Sequence, residues 1–262
     1  ASSTPRFNQP PVFRAVISTS SVSLSARWLI DWQNLMSILS ARRQKAARKQ
    51  VARGQKSVKE FEKKIMKDTD IQTFLTELYE AGQQNDAREQ ERRKKMLNLE
   101  PETAQLLSIM IRGSRRQHIL EIGTSNGYST IWLAWAVHAA SGHIVSIDRD
   151  PDKHILADTN LRRVGLRESV ELICGDATEV IANLPGPFDC VFFDADRFSA
   201  SSQLTRLLPK LSADAFIFAD NVHSHPEEIA GYLTTLNDLP QFKHIIVPVG
   251  KGLSIAYRWN ES

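Results

Sequence analysis

The chain has 262 residues, 42% of them apolar and 24% charged, a size and composition that fit one globular domain with an extension and exclude disorder throughout. No run of about 18 uncharged apolar residues occurs, so no transmembrane helix is predicted. The formal net charge of +3 hides an asymmetry, because residues 1–60 hold eleven Lys or Arg against only Asp31 and Glu60, which leaves the rest of the chain acidic.

Residues 1–56 are rich in Ser, Arg and Ala, with Arg42, Arg43, Lys45, Arg48, Lys49 and Arg53 close together. This composition fits an organelle transit peptide, an arm for nucleic acid or a membrane surface, or residues upstream of the true start. Trp28, Leu29, Trp32, Leu35, Met36 and Ile38 share one helical face, which suits packing on the domain or on a second chain. A helical section is predicted over residues 57–113. It opens with the capping box Ser57 and Glu60 and the pair Phe61 and Ile65. Ile71, Phe74, Leu75, Leu78 and Tyr79 keep helical spacing, the charged run Asp86 to Lys95 reads as a solvated helix, and Pro101 opens a further helix closed near Gly113. These helices are expected to cover one side of a ligand cleft.

From residue 114 to 262 strands and helices alternate. Strand-like runs are Ile119 to Ile122, Ile144 to Ile147, Val170 to Cys174, Cys190 to Phe193, Ala215 to Ala219 and Ile245 to Val249. Helical patterns fall at 127–138, 152–164, 177–184, 200–210 and 226–236, so the class is α/β with a parallel sheet wound on both faces. Leu253 to Trp259 follows Val249 across only Gly250-Lys251-Gly252, too few residues for a parallel crossover, so the last pair is an antiparallel hairpin. Cys174 and Cys190 lie in apolar runs without metal-type spacing and are read as buried free thiols, which suits a reducing compartment.

The stretch His118 to Ser129 reads His-Ile-Leu-Glu-Ile-Gly-Thr-Ser-Asn-Gly-Tyr-Ser: strand, tight turn, helix. Gly123 and Gly127 let backbone N–H groups and a helix N-terminus approach a nucleotide-like ligand. A dinucleotide fingerprint would need a third glycine in register. Leu-Glu-Ile-Gly-Thr-Ser-Asn-Gly-Tyr-Ser resembles motif I of class I S-adenosylmethionine (SAM)-dependent methyltransferases, in the version of the O-methyltransferases related to catechol and caffeoyl-CoA enzymes. The resemblance covers about residues 70–258. It implies a Rossmann-like, seven-stranded, mostly parallel sheet of order 3-2-1-4-5-7-6 with an antiparallel last strand, and a SAM site made by Glu121, Gly123, Thr124, Ser125, Gly127, Ser129, Asp148, Asp176, Ala177 and Asp194.

Two of these residues have a reading of their own. Asp148 ends the second strand some 25 residues after Gly123, where a carboxylate can accept from both hydroxyls of a ribose. Asp176 follows the third strand; the resemblance gives it the adenine amino group, and its sequence position equally suits a helix N-cap. The fourth and fifth strands end in Phe193-Asp194-Ala195-Asp196-Arg197 and Ala219-Asp220-Asn221. Asp194, Asp220 and Asn221 form an oxygen-only set suited to Mg²⁺ or another divalent cation, and the resemblance makes them the metal site that activates a hydroxyl for methyl transfer. Capping of the following helices is the plainer alternative.

The chain departs from the family pattern at Arg197, where the resemblance expects the lysine base; arginine stays protonated and cannot serve. Phe198-Ser199-Ala200 lacks the tyrosine expected nearby, and Lys251 stands where an acidic residue is usual. Arg197 is left to anchor an anion or pair with Asp196, while Asp196, His223 or His225 is left to accept the proton. Asp-Arg and Ser-His-Pro-Glu-Glu resemble uncharacterised bacterial O-methyltransferase-like proteins most. The reading is a cytoplasmic SAM-dependent O-methyltransferase acting on a small hydroxylated, catechol-like molecule, forming a homodimer and with no membrane span. The alternatives are an RNA or protein methyltransferase that uses the basic arm on phosphates, and a SAM-binding protein without catalysis.

Overall fold

The computed structural model describes residues 65–259; the arm over residues 1–56 and the Ser57 capping box lie outside them. Among the described residues no helix is long and apolar enough to cross a membrane.

Among the described residues two helices precede the sheet, α1 (Asp68–Arg88) and α2 (Pro101–Gly113). The charged run beyond Asp86 does not continue the helix. Glu89 turns its carboxylate back onto the N–H groups of Gln90 and Glu91, and Asp86 accepts from Met96 and Leu97 N–H at 2.6 and 2.8 Å. These bonds satisfy backbone donors outside a helix, so α1 stops at Arg88 and a 3₁₀ turn over Arg92–Lys94 follows. Pro101 begins α2 at the position where its missing N–H costs nothing.

The alternating part runs β1 (His118–Ile122), α3 (Tyr128–His138), β2 (His143–Asp148), α4 (Pro151–Val164), β3 (Val170–Cys174), α5 (Ala177–Asn183), β4 (Phe188–Phe193), α6 (Ala200–Leu207), β5 (Leu211–Ala219), α7 (Pro226–Asn237), β6 (Phe242–Val247) and β7 (Leu253–Arg258). The seven strands form one sheet in the order β3-β2-β1-β4-β5-β7-β6, with β7 antiparallel to both neighbours. This is the class and order expected from the sequence.

Alternation along each strand sends side chains to two cores. Ile119, Ile144, Phe192 and Phe218 face α1 to α4, whereas Leu120, Ile147, Phe193 and Ile217 face α5 to α7. Helix α3 is buried almost all round, as its uninterrupted apolar run Ile131 to Val137 requires, because it lies between the sheet and the N-terminal helices. Helix α4 is bounded chemically: Asp150 accepts from Asp152 N–H at 2.9 Å, Pro151 takes the first position and Gly165, at φ +79°, closes the end. Cys190 is buried as expected, but Cys174 is exposed. It belongs to β3, the edge strand, which has no second neighbour to cover it.

Candidate functional site

The register of the sheet puts the chemistry in one row. Ile122 stands beside Ile147 and Phe193, and Phe193 beside Ala219. The residues that follow, Gly123, Asp148, Asp194 and Asp220, leave the sheet together at its carboxyl edge, where an open α/β sheet has its crevice. All four line a cleft of about 660 Å³, roofed in part by Met96 to Leu99.

Gly123 has φ +111°, and a Cβ there would overlap the backbone carbonyl of Asp194, so the close passage of the two loops needs glycine. Ser125 adopts φ +46° and is held from two sides. Its N–H donates to Asp148 Oδ2 at 2.8 Å and its hydroxyl to the Met96 carbonyl at 2.7 Å. Asp148 also accepts from Asp150 N–H at 3.0 Å. Those two donors fix the carboxylate at the cleft wall and leave lone pairs for a ligand's hydroxyls. Gly127, at φ +85°, turns the chain into α3.

Glu121, expected to hold the cofactor, stands behind the cleft. Its buried carboxylate accepts from Ser129 at 2.6 Å and from Thr130 and Ser146 at 2.5 Å each. Burial raises its pKa to about 7, against the opposing pull of the three hydroxyls. Ser129 and Thr124 line the cleft with their hydroxyls already engaged, the first by Glu121 and the second by Ser146 at 2.6 Å.

A smaller pocket of about 80 Å³ adjoins the cleft and shares Gly123 and Asp148 with it. Ile122, Ile147, Ala177, Ala195 and Asp176 are among its other walls, together with polar residues such as Arg149, Ser199 and Gln203. Asp176 caps α5, its Oδ1 accepting from Thr178 and Glu179 N–H at 2.9 and 3.3 Å. The N-cap role and a place in this pocket therefore coexist in one residue.

On the other side Asp194, Asp220 and Asn221 meet. Asn221, at φ +67°, sets its side-chain amide 2.6 Å from Asp220 Oδ2 and 3.3 Å from Asp194 Oδ1. Desolvation and then the neighbouring Asp220 lift Asp194 well above the ordinary carboxylate range. Burial likewise lifts Asp220 to about 6, with the Asn221 backbone N–H opposing and Glu100 adding to the rise. Among the described residues no group of three or more His, Cys, Asp or Glu could hold a metal ion; the Asn221 NH₂ faces the two carboxylates and its Oδ1 accepts from Ser224 Oγ, so a cation held by all three residues requires the amide to turn its oxygen toward them.

The proton-handling candidates separate. Asp196 accepts from Phe198 N–H at 3.2 Å and Ser199 Oγ at 2.6 Å, which ties its carboxylate to its own loop. Arg197 lines the cleft and donates to Glu228 Oε2 at 3.0 Å, rather than pairing with Asp196. His223 is exposed and outside the cleft, with its ring against Gly252 in the hairpin turn. His225 is the imidazole that lines the cleft, its Nδ1 2.8 Å from Ser224 Oγ.

Sequence reasoning missed three residues at this site. Lys153 is buried in the cleft wall and donates to the Lys95 carbonyl at 2.6 Å. Glu100 binds Lys251 Nζ at 2.6 Å, and Gln203 reaches from α6 to Thr178 Oγ1 at 3.3 Å. Each acts through a partner far along the chain, and no local spacing marks them.

Residues 120–222 match a protein family described as a methyltransferase domain. Over these residues the chain is similar to that domain. Its match includes the β1 turn, Asp148, Asp176, Asp194, Asp220 and Asn221. Among curated proteins the chain is 32% identical over 130 residues to a catechol O-methyltransferase of Niastella koreensis, covering 48% of this chain and 58% of that one. It is 34% identical over 117 residues to a catechol O-methyltransferase of Mycobacterium tuberculosis, covering 44% and 53%. The chain thus spans little more than half the length of these relatives. The solved O-methyltransferase of Streptomyces achromogenes, in complex with SAM, is 25% identical, with a TM-score of 0.59 over 69% of this chain and 90% of that one. The fold of the chain is therefore similar to that of this solved enzyme.

Proposed function

We propose that this chain transfers a methyl group from SAM to a hydroxyl oxygen of a small catechol-like acceptor, with a divalent cation at Asp194, Asp220 and Asn221. The observation that carries the reading is one continuous cleft. It joins the Gly123, Ser125 and Asp148 wall to the two raised carboxylates.

The first wall suits SAM. Asp148, fixed by two backbone donors, takes the ribose hydroxyls, and the smaller pocket beside Asp176 takes the adenine. SAM bound there supplies an electrophilic methyl group. The second wall suits a divalent cation by charge. Arg197 is committed to Glu228 and Lys251 to Glu100, so these pairs are neutral and leave the two carboxylates only partly compensated. Asp194 Oδ1 and Asp220 Oδ2 share one amide group between them and keep lone pairs to give. A hard cation held by these oxygens supplies Lewis acidity that lowers the pKa of an acceptor hydroxyl.

The chain's own part is to bind and orient. Asn221 holds both carboxylates in one arrangement, and the Met96 to Leu99 segment limits water. Arg197 stays protonated, so the leaving proton goes to another group, and His225 is the imidazole in reach of the cleft.

Calorimetric titration with SAM and S-adenosylhomocysteine, in Mg²⁺ and in EDTA, on the wild type and Asp194→Ala tests this. The expected result is micromolar SAM binding, on the order of −8 kcal/mol, with a catechol joining only in Mg²⁺ and only in the wild type. Methyl transfer that persists in EDTA removes the cation and keeps the methyltransferase. No SAM binding under any condition overturns the reading.

A further inference from the structure

Behind Asp220 lie three buried polar atoms that no protein group satisfies: Asp220 Oδ1, Arg197 Nε and Gln203 Oε1. They come from the end of β5, the loop after β4 and helix α6, and their residues line the same small void of about 10 Å³, whose walls also include the polar residues Asp194, Asp196 and Asn221 and apolar groups such as Ile122, Phe193 and Ile229. Each of these side chains is also held at another polar atom. Asp220 Oδ2 accepts from Asn221, Arg197 Nη1 donates to Glu228, and Gln203 Nε2 donates to Thr178 Oγ1.

The size and the polarity of the void select its occupant. A space of this volume admits about one water, which needs two to four polar partners. Water donates twice and accepts from the rest. Two acceptors, Asp220 Oδ1 and Gln203 Oε1, match its two O–H groups, and one donor, Arg197 Nε–H, matches a lone pair. The Arg197 guanidinium among its walls disfavours a metal ion in this void. An apolar group would leave all three atoms unsatisfied.

We propose that one ordered water bridges Arg197, Gln203 and Asp220, and that it fixes the Asp220 carboxylate from behind the cleft. Arg197 and Gln203 are then positioning residues. This gives Arg197 a task that its permanent charge serves, since donating a hydrogen bond needs no deprotonation. The positioning half of the proposal rests on the cation reading given above; the water does not.

High-resolution crystal structures of the wild type, Gln203→Glu and Gln203→Met separate the possibilities. Both variants lose the amide donor to Thr178, but only Gln203→Met loses the acceptor oxygen, so the difference between them isolates the water. The expected density is a water within hydrogen-bonding distance of all three side chains in the wild type and Gln203→Glu, and none in Gln203→Met. Calorimetric titration with Mg²⁺ alone should show affinity about 10- to 100-fold weaker in Gln203→Met than in the wild type, the comparison that leaves the charge unchanged. A wild-type void without water, or direct contacts that replace it, overturns the proposal. Equal Mg²⁺ affinity in Gln203→Met and the wild type overturns the positioning role. A wild type that binds no Mg²⁺ refutes the cation reading and the positioning role with it, and the density still decides the water.

Discussion

Glu121→Gln tests whether the carboxyl at the end of β1 is held in low dielectric by the three hydroxyls around it. The group is fully buried, and its pKa rises from 4.5 to about 7, a change equivalent to about 3 kcal/mol between protonation states. The native state therefore binds this proton more tightly than the unfolded chain does. The associated stabilisation is complete below about pH 4.5 and is lost as pH rises through about 7. A glutamine at this position cannot titrate, so the stability of the wild type relative to the variant should fall by about 3 kcal/mol between pH 4.5 and pH 8. Asp194 and Asp220 are present in both proteins, and most of their own titration cancels in the difference. The assay is urea unfolding of both proteins at intervals across that range, with the difference plotted against pH. Profiles that stay parallel to within about 0.5 kcal/mol, the order of the extrapolation error, would refute the reasoning. They would mean that Ser129, Thr130 and Ser146 solvate the ionised form as well as water does.

Two further substitutions probe the cofactor wall. Gly123→Ala forces a Cβ into the backbone carbonyl of Asp194 at φ +111°, and neither partner is a side chain that can rotate away; a loss of about 2 kcal/mol or more in thermal unfolding is expected, together with loss of SAM binding. Asp148→Ala removes the acceptor held by Ser125 and Asp150 N–H, and SAM affinity measured by calorimetry should fall about 10- to 100-fold, the equivalent of one or two charged hydrogen bonds. An unchanged affinity would mean that the ribose lies elsewhere.

The sheet was legible because its grammar is local. Short apolar runs separated by helical patterns fix a parallel sheet, and three residues between Val249 and Leu253 allow only a hairpin. The boundaries of β6 shifted, from the expected Ile245 to Val249 to the observed Phe242–Val247. Pro248 lacks the N–H that would continue pairing past Val247, which is the last residue in register with Leu253. The helix expected across Asp86 to Lys95 failed because Asp86 answers backbone donors ten and eleven residues ahead, an arrangement that charge pattern does not reveal. The choice between His223 and His225 was also beyond the sequence, since which one faces the cleft depends on how the turn docks against Gly252.

The site concentrates charge that the sheet must carry. Glu121, Asp148, Asp194 and Asp220 come from four adjacent strands, and register places the last three at one edge with Glu121 two residues behind that row. Their surroundings differ, and so do their consequences. Asp148 meets two backbone N–H groups, whereas Glu121 is satisfied only by neutral hydroxyls, and Asp194 and Asp220 face each other across one amide. The two cations nearest that last pair relieve it only in part, because Arg197 and Lys251 are also held by Glu228 and Glu100. Those two ion pairs span 31 and 151 positions of the chain, so the sequence reading saw an arginine and a lysine in unexpected places and could not see that each brings its own acid. Once the pairs are drawn, the unusual residues no longer count as added positive charge in the cleft. What they leave behind is a carboxylate pair compensated only in part, unfavourable for an empty fold and suited to a ligand that brings positive charge.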